Sequence, residues 1–405
     1  MSSHLAPEIL IEAARQYGTP LYVYHAERIR FQYENLKQAF SNWDVRFFYA
    51  AKALTNQQVL RYVNSLGCCI DCSSINEIKL ALKAGFSNDK ILYTSNSIHF
   101  TEIEEAVSLG AFVNVDSLSA LEKFGKRFGS SYPVGIRLRP NIMAGGNLKI
   151  STGHAGSKFG IPVEQLNQVH ALVSAYKIQV HTLHIHTGSE IKDADVFVQG
   201  VRLLLDIVAD FPDVRVIDLG GGFKVPYYPG EKGTDIHAVG NAVAELFSAY
   251  QQKTGRSLQV WFEPGKYMVC EAGYLLTTVN VIKENETLTF AGVDTGLNQL
   301  IRPMFYEAYH HIENLTNPSA PVKTYQVVGN ICETDTLGAD RDLPAVREGD
   351  LLSIQNAGAY GFEMASQYNA RYRPAEVFYK KGMLQLIRRR ETLEDLLRTQ
   401  EGLSE

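Results

Sequence analysis

The amino-acid sequence predicts an α/β protein, a (β/α)8 barrel of the TIM type joined to a second, mainly β domain of sandwich or barrel-like form. Three observations lead there. Eight short β-branched or aromatic runs alternate with helix-like stretches over roughly 230 residues. Beyond Lys283 that alternation stops and hairpin-like pieces replace it. A chain of 405 residues also exceeds the ~250–300 at which one hydrophobic core stops growing.

The eight strands are expected near 46–49, 68–71, 91–93, 112–115, 134–138, 182–186, 214–219 and 260–262. Between them, stretches such as 77–84, 101–109, 118–127 and 201–209 carry apolar residues at three- and four-residue intervals, the period of an amphipathic helix. Ser74-Ile75-Asn76-Glu77 has the spacing of a capping box and places a helix start just after the second strand. A doubly wound open sheet is the alternative, but the count of eight favours closure. The later pieces, 288–293, 325–328, 350–354 and 375–379, have few long amphipathic helices between them and read as the β domain. The expected division is 29–270 for the barrel, with 1–28 and 271–405 forming the second domain.

Composition narrows the class of function. The chain is 45% hydrophobic and 20% charged, ordinary for a globular protein. No charge-free stretch reaches the ~18 residues of a membrane span, and the first ten residues lack the layout of a signal peptide. Net charge is −5 without a dense basic block, so neither nucleic acid nor membrane is expected as a partner. The run Arg388-Arg389-Arg390 reads as a solvated strand edge. Five cysteines, an odd number, point to reduced thiols and a cytoplasmic setting. Cys68, Cys69 and Cys72 lie close together without a second ligand pair, so buried thiols are expected there rather than zinc.

In a barrel of this kind, chemistry gathers at the C-terminal ends of the strands. Those ends carry Lys52, Asp71, Asp116, Arg139, His186, Gly220-Gly221-Gly222 and Glu263. Lys52 closes an apolar strand, where a desolvated amine suits Schiff-base chemistry; a lysine reaching to solvent is the plainer reading. The three glycines follow the seventh strand, where barrels often hold a phosphate on backbone N–H groups, although a tight turn also uses glycine. His184 and His186 share one face of their strand and suggest metal, but the seventh and eighth strands offer glycines and Glu263-Pro264-Gly265 instead of further ligands. Glu263 suits the ring nitrogen of pyridoxal phosphate, or else a salt bridge.

At this point the chain resembles the fold-type III pyridoxal-phosphate-dependent decarboxylases over nearly its whole length. In the barrel, the resemblance rests on Tyr49-Ala50-Ala51-Lys52-Ala53, His186-Thr187-Gly188-Ser189, Gly220-Gly221-Gly222-Phe223 and Glu263-Pro264-Gly265-Lys266. In the second domain it rests on Asp294-Thr295-Gly296-Leu297-Asn298 and on Leu300-Ile301-Arg302-Pro303 with Tyr306. Gly329-Asn330-Ile331-Cys332-Glu333 and Ala357-Gly358-Ala359-Tyr360-Gly361-Phe362 complete the set. Within the family these strings are most similar to members that convert meso-2,6-diaminopimelate to L-lysine and CO2, the last step of lysine biosynthesis.

That resemblance implies roles. Lys52 would hold pyridoxal 5'-phosphate covalently, and His186 would stack on its ring. Asp71, Ser189, Gly220, Gly221, Gly222, Glu263, Pro264, Gly265, Lys266 and Tyr360 would complete the cofactor site. Arg302 and Tyr306 would bind the substrate's far carboxylate and Glu333 its far ammonium, with Lys266 and Tyr360 also facing substrate. Cys332 would protonate the carbanion left after CO2 departs, and together with Glu333 would reach the partner's site in a homodimer. Two positions depart from the family: Lys266 stands where arginine is usual, keeping charge without the planar fork, and Thr295 replaces alanine. The competing expectations are the same chemistry on ornithine, arginine or carboxynorspermidine, a catalytically dead partner-binding homologue, a single-domain cofactor-homeostasis barrel, and a metal-dependent barrel hydrolase.

Overall fold

The computed structural model describes residues 4–142 and 156–402. The chain forms two compact units: Phe31–Val225 with Lys232–Met268, and Met1–Arg30 with Pro226–Glu231 and Val269–Glu405.

The first unit is a closed barrel. Its strands, in chain order, are Val45–Ala50, Cys69–Cys72, Ile91–Thr94, Phe112–Val115, Val134–Arg139, Val180–Ile185, Val216–Asp218 and Gln259–Phe262. Each pairs in parallel with the next, and Val260 against Val45 closes the ring between the eighth strand and the first. Strands buried on both faces lack polar alternation, and Cys69–Cys72 and Ile91–Thr94 are buried throughout. Phe48, Cys69, Leu92, Val216 and Trp261, from five strands, pack together with Phe112 into an apolar cluster. Phe48 and Trp261 have ring centroids 4.5 Å apart.

Local signals set the helix starts. Ser74 Oγ accepts from the Glu77 amide at 3.2 Å and opens the helix Ile75–Lys83. The Glu77 carboxylate reaches back to the Ser73 amide at 2.6 Å, one residue earlier than a strict capping box. Ser117 caps the helix Leu118–Phe128 in the same way.

The second unit is a mainly β sheet built around the 12-residue strand Gly273–Glu284. On one side of it lie Thr289–Val293, Val322–Val328 and Thr336–Pro344; on the other lie Leu21–His25, Ala375–Lys380 and Met383–Arg388. Leu351–Ile354 pairs with both Gly273–Glu284 and Ile312–Asn314. Leu21–His25 runs antiparallel to the central strand and parallel to Ala375–Lys380, so the beginning and the end of the chain share one sheet. Leu5, Leu10, Leu21, Val23, Tyr274, Leu276 and Val377 form its core.

The arginine run lies on the edge strand and just after it, yet it is tied back rather than simply solvated. Arg388 pairs with the fully buried Glu376, Arg389 with Asp395 at 2.9 Å, and Arg390 donates to the Pro20 carbonyl at 2.7 Å. Cys68, Cys69 and Cys72 are buried, and Cys68 Sγ donates to the Phe47 carbonyl at 3.2 Å. Among the described residues no helix is long and apolar enough to cross a membrane.

Candidate active site

Side chains in a strand repeat every two residues, so the positions two beyond the apolar cluster stack directly above it at the C-terminal end of the barrel. From Cys69 this gives Asp71, from Leu92 Thr94, from Phe112 Asn114, from Val216 Asp218, and from Trp261 Glu263. A dry layer therefore supports a polar one. Asp71, Thr94, Asn114, His184, Asp218 and Glu263 are all buried.

Lys52 sits on the short turn Ala51–Ala53 that follows the first strand and is exposed, while its charge stabilises the buried carboxylates of Asp71 and Glu263. Burial, then the Glu263 carboxylate, pushes Asp71 well above the usual range; burial and the neighbouring Asp218 do the same to Glu263. One oxygen of each, Asp71 Oδ1 and Glu263 Oε1, is buried without a hydrogen-bond partner.

His186 lies just past the sixth strand, half-buried, with Nδ1 accepting from the Gly221 amide at 3.2 Å. That acceptor role places the proton of the neutral ring on Nε2, and burial with the charges of Arg137 and Lys52 keeps the ring neutral. The glycine run is required by space. A Cβ on Gly221 would lie 2.4 Å from the Glu263 carbonyl, and one on Gly222 2.4 Å from the Gly188 carbonyl. Gly222 also has φ +107°, which side-chain-bearing residues rarely adopt.

Pro264 and Gly265 are buried, with Gly265 packed so that its Cβ would meet Ala50 Cβ at 3.0 Å. Lys266 opens the short helix Lys266–Val269, donates to Ser189 Oγ at 2.9 Å and pairs with Glu190. The lysine found where the family carries arginine thus has a carboxylate of its own. Asp116 and Arg139 are half-buried; Arg139 donates to the Ser157 carbonyl at 2.8 Å.

His184 and His186 do not converge on one point. His184 turns toward Asn114, whose Nδ2 is 3.4 Å from His184 Nδ1, whereas His186 turns to Gly221. The expectation that the seventh strand offers only glycines needs correction, because Asp218 stands two residues before Gly220, after Val216 and Ile217. The donor atoms of His184, Asp218 and Glu263 lie within 4.8 Å of one another. Arg137, on the fifth strand and also buried, is a second residue the sequence reading passed over. The signal for both was a charged residue at an inward position of an apolar strand.

The other unit holds its own constellation. Arg302 opens the short helix Arg302–Tyr306 and is buried. Its Nη2 donates to Tyr227 Oη at 3.1 Å, and its guanidinium carbon lies 5.7 Å from the Tyr227 and Tyr306 ring centroids and 5.9 Å from that of Tyr360. Three aromatic rings lie around one guanidinium, and rings of this kind do not neutralise its charge. Tyr360 takes φ +59°, a left-handed backbone for a bulky residue.

Cys332 and Glu333 are exposed on the loop that follows Val322–Val328. Asp335 fastens this loop, accepting from the Leu297 amide at 2.7 Å and the Ile331 amide at 3.2 Å. Cys332 Sγ accepts from Asn369 Nδ2 at 3.1 Å, and Tyr368 Oη donates to the Glu333 carboxylate. Of the five cysteines, all free, Cys332 is the exposed one.

Residues 26–270 match the family model for the pyridoxal-binding domain of pyridoxal-dependent decarboxylases. Over 400 residues the chain is 41% identical to diaminopimelate decarboxylase of Methanothermobacter thermautotrophicus, spanning 96% of this chain and 93% of the relative. It is 36% identical to diaminopimelate decarboxylase of Archaeoglobus fulgidus over 96% and 94% of the two chains. The crystal structure of diaminopimelate decarboxylase from Helicobacter pylori complexed with L-lysine superposes with a TM-score of 0.88 at 32% identity, covering 96% of this chain and 98% of that one. With the family model matched over 26–270 and these relatives matched over nearly the whole length, the chain belongs to the diaminopimelate decarboxylase family of pyridoxal-dependent decarboxylases.

Proposed function

We propose that the protein decarboxylates meso-2,6-diaminopimelate to L-lysine and CO2, using pyridoxal 5'-phosphate. The observation that carries the substrate is Arg302, a buried guanidinium framed by three tyrosines. A substrate with a second carboxylate rewards such a fork with two parallel charged hydrogen bonds; ornithine and lysine have none to offer.

The barrel's residues fit the cofactor. Glycines 221 and 222 tolerate no Cβ, so their backbone stays open to a phosphate, with Ser189 and Lys266 beside each other. Glu263 keeps a buried oxygen without a partner, suited to a protonated ring nitrogen. When bound, the cofactor supplies a ring that takes up the electrons of the breaking Cα–carboxylate bond. The protein's part is to place the groups around it. Lys52 holds the cofactor through its amine, and His186 lies against the ring with Asp71 nearby. Gly220, Gly221, Gly222, Ser189, Pro264, Gly265, Lys266 and Tyr360 seat the phosphate and ring. Arg302 and Tyr306 orient the far carboxylate, and Glu333 the far ammonium. Cys332 returns a proton to the α-carbon, a role open to a thiol placed as a general acid. The family resemblance further supports barrel residues 29–270 as the cofactor domain, and 1–28 with 271–405 as the domain supplying substrate and interface groups. It also supports a homodimer in which Cys332 and Glu333 serve the partner's site, in the cytoplasm.

Purified protein given meso-diaminopimelate is expected to release lysine and CO2 one for one, with ornithine and L-lysine left nearly untouched. Equal turnover of ornithine would overturn the substrate assignment. Borohydride reduction should then fix the cofactor to the peptide containing Lys52. A label on any other lysine would remove Lys52 from the site.

A further inference from the structure

The assignments above leave a line of buried polar side chains inside the barrel without a task. Asn114 Nδ2 donates to Thr94 Oγ1 at 3.0 Å and lies 3.4 Å from His184 Nδ1. With the amide so oriented it can only donate, so His184 Nδ1 accepts and the neutral ring carries its proton on Nε2. That nitrogen faces Glu263 Oε1 at 3.6 Å. Across Glu263 stands Asp218, whose Oδ1 accepts from the Gly220 amide at 2.9 Å. The facing atoms His184 Nε2, Glu263 Oε1 and Asp218 Oδ2 are all buried, and each lacks a hydrogen-bond partner.

Space is reserved for this line. A Cβ on Gly135 would lie 1.8 Å from Asn114 Oδ1, so any other residue on the fifth strand would displace the amide. Buried polar groups in a barrel core are unfavourable unless they are satisfied or put to use. A divalent cation among His184, Asp218 and Glu263 is disfavoured by charge, because Arg137 and Lys52 already face Glu263.

We propose that Asn114, His184 and Asp218 are positioning residues for Glu263: a relay anchored on Thr94 at one end and Gly220 at the other, which fixes the direction and charge of the carboxylate offered to the cofactor ring. The inference rests on the reading that Glu263 serves the ring nitrogen. Asp218 and Glu263 are neighbouring buried carboxyls, both shifted upward chiefly by burial, Asp218 to about 7, which favours a shared proton over two adjacent charges. Asp71, Lys52 and Arg137 complete the charges acting on this pair. Burial and Arg137 keep His184 neutral, so that it turns an N–H rather than a second cation toward Glu263.

The test is a double-mutant cycle read on the holoenzyme and on cofactor binding to the apoprotein. His184→Leu is expected to weaken cofactor binding about tenfold, to shift the pH titration of the bound cofactor's absorption band, and to lower kcat about tenfold with KM nearly unchanged. His184→Gln, which restores a donor, should recover most of this. In a Glu263→Gln background, His184→Leu and Asp218→Asn should add little, because the group they position is gone. Additive losses in that background, or a His184→Leu band that titrates as wild type, would overturn the relay. Should Glu263→Gln itself leave the band and the affinity intact, the reading of Glu263 fails instead. If His184→Leu does not fold, Asn114→Ala carries the same cycle. A stoichiometric metal in the purified protein, with activity lost to a chelator, would likewise overturn the relay.

Discussion

Two inactive variants, Lys52→Ala and Cys332→Ala, are expected to regain about a quarter of wild-type activity when mixed and allowed to exchange subunits. Lys52 lies on the barrel and Cys332 on an exposed loop of the other unit, fastened by Asp335. If Cys332 serves the partner's cofactor, each homodimer repeats one defect in both sites. Losing a positioned acid typically costs ~10²–10⁴-fold, and losing the covalent anchor should cost at least as much. In a mixed dimer, one site collects both defects and the other none. Equal mixing makes about half the dimers mixed, each with one sound site, which gives the quarter. A mixture as inactive as its parents, once mass spectrometry has verified exchange, would place Cys332 in its own chain's chemistry or outside chemistry altogether.

Arg302→Ala should lower kcat/KM for diaminopimelate by roughly 30- to 1,000-fold, the equivalent of ~2–4 kcal/mol for a lost charged partner of the substrate. Arg302→Lys should also be poor. A lysine keeps the charge but cannot present two parallel N–H groups from among the Tyr227, Tyr306 and Tyr360 rings. Cofactor affinity should remain near wild type, since the arginine recognises the far end of the substrate. Full activity on diaminopimelate after either change would refute the substrate assignment while leaving the decarboxylase chemistry standing.

The barrel was legible in the sequence because parallel strands buried on both faces leave short continuous apolar runs, and all eight lie close to their expected positions. Lys52, His186, the glycines and Glu263 were legible because they punctuate the ends of those runs. Asp218, Asn114 and Arg137 were missed because each lies inside a run and was read as part of it. Counting every second residue up from Val216 or Phe112 would have placed Asp218 and Asn114 in the interior. The β unit was harder to read. Gly273–Glu284 follows the short helix Lys266–Val269 and the turn at Cys270–Ala272 as one apolar stretch, so its strand went unread, although the domain was expected to begin at residue 271. Thr336–Pro344 contains Gly338, Asp340 and Asp342, residues with poor strand propensity, and is held by its pairing with Val322–Val328.

The placement of Leu21–His25 between Gly273–Glu284 and Ala375–Lys380 bears on how the chain is made. On a ribosome this segment emerges before either neighbour, with both of its edges bare. Its last neighbour arrives roughly 350 residues later, on the order of 20–70 s at ~5–20 residues per second. The barrel can close in that interval, while the apolar ribbon stays an open template for stray strands. Nascent chains stalled before residue 375 should therefore bind holding chaperones through Leu21–His25, and a release beyond Lys380 should end that hold.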